Sequence, residues 1–205
     1  MFLTVAFSLY AMDRPDIKHK YLFYPYAIKH VNQHYRFLSH AFIHADYMHL
    51  AFNMFALLSF GPTVEKVIMP SLAGSFEEPN RALGSVYYIL LYTGAIYAAS
   101  LTEYFKNRDN KYYSSLGASG AINAVIFSYI LCLPKSTLSM FFIRDIPAWI
   151  FGILFLGISY YLSKRKLAND NIGHEAHFWG AVFGLVFTGI LKPELFTSFI
   201  KQIIP

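Results

Sequence analysis

Five apolar runs of near-bilayer length, each closed by charged residues, proline or asparagine, restrict this chain more than any other feature. They cover residues 48–65, 83–102, 116–133, 146–162 and 176–191, and their lengths and boundaries predict one helix each. A helix crosses the hydrocarbon core of a bilayer with roughly 20 mostly apolar residues. Runs of this size in a chain of 205 residues leave room for a helical bundle and little else. Only 14% of the residues are charged, against about a quarter in a soluble domain, which makes lipid the expected solvent. Residues 1–12 form a sixth apolar stretch, too short to span unaided and lacking the basic start and small-residue cleavage site of a secretory signal. They are expected as a short or truncated first helix. The chain therefore reads as an all-α membrane protein, one domain over residues 1–205 arranged as a bundle of six transmembrane helices.

Between the runs the composition changes. Residues 13–47 are rich in Tyr, His and Phe without a continuous apolar stretch, which suits a long structured loop with short amphipathic helices at the membrane interface. Residues 193–205 read as a second interfacial stretch, and residues 70–81 and 105–115 as solvated loops. A net charge of +5 would raise nucleic-acid binding in a soluble protein. Here the basic residues sit in the breaks between apolar runs, as interfacial anchors do, so the expected surroundings are the lipid bilayer and no nucleic acid. Cys132, the sole cysteine, lies inside an apolar run and reads as a buried structural residue. The small size and the absence of appended targeting domains point to a bacterial plasma membrane. Nothing in the sequence fixes an oligomeric state.

Successive spans alternate in direction, so the second, fourth and sixth enter the membrane from one face. His49 and Asn53 lie near the start of the second, Ser119 near the start of the fourth and His177 near the start of the sixth. At about 1.5 Å of rise per residue, all four fall at a similar shallow depth below that face. Strongly polar side chains inside a span are expensive and turn toward the bundle interior or a wet cavity, which makes them functional candidates.

The residue types suit acyl transfer. A serine hydroxyl becomes a nucleophile when a neighbouring base takes its proton, and histidine titrates near neutrality; Ser119 and His177 supply that pair. Glu175 is the one acid at matching depth on these three helices, so a dyad is expected in place of a triad. The oxyanion of the tetrahedral intermediate needs donors. His49 and Asn53, one turn apart on one helix face, and the Ser119 backbone N–H near a helix N-terminus meet that need. Gly117 and Gly120 flank the serine, and Gly180 and Gly184 follow the histidine in a GxxxG pattern. Small residues let membrane helices approach closely, which would bring the sixth helix against the fourth. Taken alone, a serine among glycines and alanines in a span is ordinary helix-packing material. It is the matched partners on two other helices that favour the catalytic reading.

Other readings carry less. His40, His44 and His49 suggest a metal cluster, and residues 174–177 suggest a zinc protease, but that motif needs three residues between its histidines where this chain has two. No metal and no cofactor are expected, and His44 and His174 read as structural or loop-contact residues. A transporter would show duplicated halves and a polar path that continues across the membrane; the polar residues here cluster at one face.

The stretch His40-Ala41-Phe42-Ile43-His44-Ala45-Asp46-Tyr47-Met48-His49-Leu50-Ala51-Phe52-Asn53, followed by Gly61 and Glu65, resembles the second-helix signature of rhomboid proteases. Gly117-Ala118-Ser119-Gly120 resembles their nucleophile motif, His177 with Gly180 and Gly184 their sixth-helix histidine motif, and Tyr35-Arg36 is similar to the Trp-Arg pair in the first loop of many members. The resemblance, from about Tyr35 to Gly184, implies a six-helix core and a serine-type endopeptidase performing intramembrane proteolysis with a Ser119/His177 dyad. It implies oxyanion stabilisation by His49, Asn53 and the Ser119 backbone. Single-pass or multi-pass membrane proteins would be the substrates, with entry gated between Arg144 and Gly173. Three features depart from the pattern: the short first helix, Asn123 where many members carry an aromatic stacked on the histidine, and charge. The family places the active-site face outside the cytoplasm, yet eleven of the 17 basic residues fall on that face, and the positive-inside rule favours the reverse. Catalytically inactive relatives that bind membrane clients, which typically lack the serine or the histidine, form the competing class.

Overall fold

The computed structural model describes residues 1–140, 143–165 and 172–204 and is predominantly helical. Helix α1 (Phe2–Met12) leads into the short helices α2 (Pro15–Tyr21), α3 (Pro25–Val31) and α4 (Arg36–Ser39), the last running into a 3-10 turn at His40–Phe42. Proline opens both α2 and α3, where a missing N–H costs nothing and the fixed φ suits the helix. Asn32 ends α3 in the left-handed conformation, as helix C-termini often do. Arg36 is buried and knits these pieces together: its Nη1 donates to the carbonyls of His19 and Leu22, each at 2.8 Å, and its Nε to Gln33 Oε1 at 2.6 Å.

Asp46 caps α5 (Tyr47–Thr63), its side chain accepting the His49 N–H at 2.8 Å. The sequence predicts a stop at residue 65 and a solvated loop from residue 70. The chain instead passes through a π turn at Val64–Ile68 into α6 (Met69–Ala73), with Pro70 and Ser71 buried. Pro70 is the second residue of α6, within the first turn, where a proline is tolerated. Asn80 caps α7 (Arg81–Asn107) through the Leu83 N–H at 3.1 Å.

The centre of the molecule is α8 (Ser119–Cys132), whose residues are buried from Gly120 to Leu131 apart from Tyr129. It packs on α5, α7, α9 (Ala148–Lys164) and α10 (His174–Leu191). An antiparallel hairpin joins α8 to α9: β1 (Thr137–Met140) and β2 (Ile143–Pro147), with Thr137 opposite Pro147 and Leu138 opposite Ile146. After α10 the chain turns through 114° into α11 (Glu194–Ile203).

Among the described residues, α7 is by itself long and apolar enough to cross a bilayer, and α10 with α11 meets that test only as a bent pair. The apolar helices α1, α8 and α9 are shorter. The sequence predicts six spans of more even length; the π turn, the hairpin and the late start of α8 at residue 119 divide the apolar runs differently.

Candidate active site

A cavity of about 940 Å³ is lined by Ser119, His177, His49 and Asn53 together with Gly117, Gly120, His40, Glu103 and Ala176. The second, fourth and sixth apolar helices each deliver their polar residues to it. Ser119 is the first residue of α8, where a backbone N–H has no carbonyl partner within its own helix. His177 stands in the first turn of α10. Both side chains line the cavity, and among the described residues no hydrogen bond joins Ser119 to His177.

Asn53 is buried, and its Nδ2 has no hydrogen-bond partner. Buried donors are almost always paired, so an amide left open on a cavity wall stands out. One turn earlier on α5, the His49 ring packs against Gly117, which has φ +115°. A Cβ at residue 117 would lie 2.7 Å from His49 Cε1 and 2.8 Å from Nε2, so the glycine is required twice: by its backbone and by the approach of the ring.

The glycines of α8 and α10 lie where the helices cross. A Cβ on Gly180 would strike the Gly120 backbone, and one on Gly184 would strike Ala124. On another side Gly120 faces Ala99 of α7, at 2.6 Å for an added Cβ. This close crossing carries His177 to the cavity that holds Ser119.

The surrounding histidines are fixed by serines. Ser8 of α1 donates to the Phe42 carbonyl at 2.9 Å, so His44 Nδ1–H donates to the Ser8 oxygen at 2.8 Å; the His44 ring then meets His49 edge-on at 5.0 Å between centroids. Ser100 donates to the Ile96 carbonyl, and His40 Nε2–H donates to Ser100 at 3.0 Å. Burial pushes His40 down to about 4 and His44 to about 3, with the neighbouring His49 adding to the second effect. Both rings are neutral at pH 7. The short first helix thus has a defined task, holding His44 behind His49.

Two site residues escape sequence reasoning. Phe155 of α9 stacks on His177, with ring centroids 6.3 Å apart and planes 28° from parallel. It provides an aromatic neighbour from α9 where Asn123, itself buried in α8, provides none. Nothing distinguishes Phe155 in a chain with 20 phenylalanines. Glu103 lines the cavity although it falls one residue past the apolar run ending at Thr102; an acid at that margin was the available signal. Glu175, the acid beside His177 in sequence, pairs with Lys106 at 2.7 Å. The expected gate between Arg144 and Gly173 includes residues 166–171, which lie outside the described residues.

Comparison with known proteins gives a consistent result. A family model described as the Rhomboid domain matches residues 31–194. RHOMBOID-like protein 12, mitochondrial, of Arabidopsis thaliana is 28% identical over 149 residues, which is 73% of this chain and 44% of that protein. Rhomboid protease GlpG of Haemophilus influenzae is 27% identical over 176 residues, 84% of this chain and 77% of the relative. Rhomboid protease GluP of Bacillus subtilis is 28% identical over 162 residues, 79% of this chain but only 27% of the relative. The chain therefore spans less than half the length of two of these three proteins.

Proposed function

We propose, from the premise that this chain belongs to the rhomboid family, that it is an intramembrane serine endopeptidase in which Ser119 attacks the scissile carbonyl of a membrane-protein substrate and His177 takes and returns the proton. Members of this family are integral membrane proteins. The relatives include bacterial and mitochondrial proteins, so the proposal is of a bilayer and leaves the compartment open.

The observation that carries this reading is the open amide of Asn53 in the cavity shared by Ser119 and His177. A donor held without a partner is already desolvated and oriented for charge that develops only in the transition state. Asn53 Nδ2, the His49 ring and the Ser119 N–H would serve the oxyanion; Phe155 would hold the plane of the His177 ring. The length of α8 fits the same scheme. Its 14 residues rise about 21 Å, less than the hydrocarbon thickness of about 30 Å. One end of this buried helix must lie within the membrane, and a cavity above Ser119 would admit the water that hydrolysis consumes.

A second reading, a catalytically inactive relative that binds membrane clients, is favoured by the absence of a Ser119–His177 hydrogen bond among the described residues. Labelling purified protein in detergent with a fluorophosphonate separates the two. The protease reading expects labelling of the wild type and its loss in Ser119→Ala and His177→Ala. A folded wild type that takes no label supports the inactive reading.

A further inference from the structure

Glu103 is an acid that the proposed chemistry does not use. It sits near the C-terminal end of α7, is 3% exposed, and borders the cavity. A carboxyl removed from water is costly unless it is hydrogen-bonded, and an acid in a membrane helix is a functional candidate by default.

Its contacts run toward both segments that deliver the proposed reacting groups. On one side Ser115 Oγ donates to Glu103 Oε2 at 2.8 Å. Ser115 is also fixed through its backbone, exchanging hydrogen bonds of 2.8 and 3.0 Å with Phe23. Two residues further, the Gly117 N–H donates to the His40 carbonyl at 3.0 Å. The segment entering Ser119 is thereby held at successive points. On the other side Glu103 Oε1 faces Gly173, where an added Cβ would stand 3.8 Å from it. Gly173 is the N-cap of α10, four residues before His177. Lys106, nearly one turn along α7, closes the same junction through Glu175.

We infer that Glu103 is a positioning residue, whose carboxyl sets the approach of the segment ending in Ser119 to the start of the helix that carries His177. The inference rests on the dyad reading, yet among the described residues Glu103 hydrogen-bonds to neither member of the pair. A displacement of about 1 Å between reacting groups costs on the order of 100-fold in rate, so a clamp outside the reacting atoms has leverage on catalysis. The amide of Glu103→Gln keeps one carbonyl acceptor for the Ser115 hydroxyl in nearly the same shape; Glu103→Ala keeps none.

The test compares wild type, Glu103→Ala, Glu103→Gln and Ser115→Ala in detergent. Three quantities are read on the same samples: fluorophosphonate labelling kinetics corrected for folded fraction, the unfolding midpoint, and hydrogen–deuterium exchange of peptides covering residues 113–120 and 173–178. The expected result is faster exchange of both peptides in Glu103→Ala, recovery toward wild type in Glu103→Gln, and a labelling rate constant about 10- to 100-fold lower in Glu103→Ala with half-saturation by the probe unchanged. Ser115→Ala should fall between, and it carries the test where Glu103→Ala does not fold. Unchanged exchange in both peptides overturns the inference whether or not the wild type labels. Labelling that falls only in proportion to folded protein overturns it as well. Absence of wild-type labelling with exchange still raised and recovered supports the clamp and removes the protease reading alone.

Discussion

The amide nitrogen of Asn53 is buried without a protein acceptor, on the wall of the cavity that holds Ser119 and His177. Replacing it with alanine removes the proposed oxyanion donor. Asn53→Ala should therefore lower kcat for a transmembrane substrate about 100-fold, leave KM within about twofold, and leave the protein folded. Hydrolysis and thermal unfolding measured in one detergent check both outcomes, and a variant of undiminished kcat would remove Asn53 from the oxyanion site. Ser119, His177, His49 and Asn53 were legible in the sequence because polar side chains in apolar runs are few. Phe155 and Glu103 were not: an aromatic among many carries no local mark, and Glu103 falls just past the end of an apolar run, where a charged residue is ordinary. Their roles exist only through neighbours on other helices.

The crossing of α8 and α10 is set by glycines. Side chains at residues 180 and 184 would meet backbone, which cannot move aside as a flexible side chain can. Gly180→Leu should lower the unfolding midpoint by an amount corresponding to about 1 to 3 kcal/mol and reduce labelling of Ser119 beyond the loss of folded protein, because His177 rides on the displaced helix. Gly157→Leu on α9 is the control, since nothing lies within 4 Å of a Cβ there; it should change neither. Equal effects of the two variants would remove the special status of the crossing. The small-residue pattern of α10 is visible in the sequence, whereas its register against Gly120 and Ala124 is not. The turn at Val64–Ile68, the helix opening at Met69 and the hairpin at Thr137–Pro147 also went unread. Each replaces a plain loop or helix end by regular backbone with its own hydrogen bonds.

The molecule as a whole places neutral histidines beneath its loop of short helices, and this gives its stability a direction in pH. His40 and His44 are held near 4 and 3 by burial, below an unfolded value of about 6.5. Above pH 6.5 both states leave them neutral and no difference arises. As pH falls below 6.5 the unfolded chain takes up protons that the folded protein refuses, so stability is lost at up to about 1.4 kcal/mol per pH unit for each histidine. The loss continues until the folded values near 4 and 3 are reached. The unfolding midpoint in detergent should therefore drop between pH 6.5 and 4, and less steeply in His44→Phe; equal slopes in the two proteins would exclude His44 from the effect. Local patterns along the chain were enough to read it as helical, with a serine, an asparagine and two histidines near the starts of separate apolar runs, because apolar run length and the cost of polarity in a bilayer act residue by residue. The tertiary structure alone decided that Phe155 covers His177, that Glu103 borders the cavity, that Ser8 of the short first helix holds His44, and that Asn53 stays unpaired. Each of those depends on the rotation and crossing of helices far apart in the sequence, which packing fixes and no local pattern encodes.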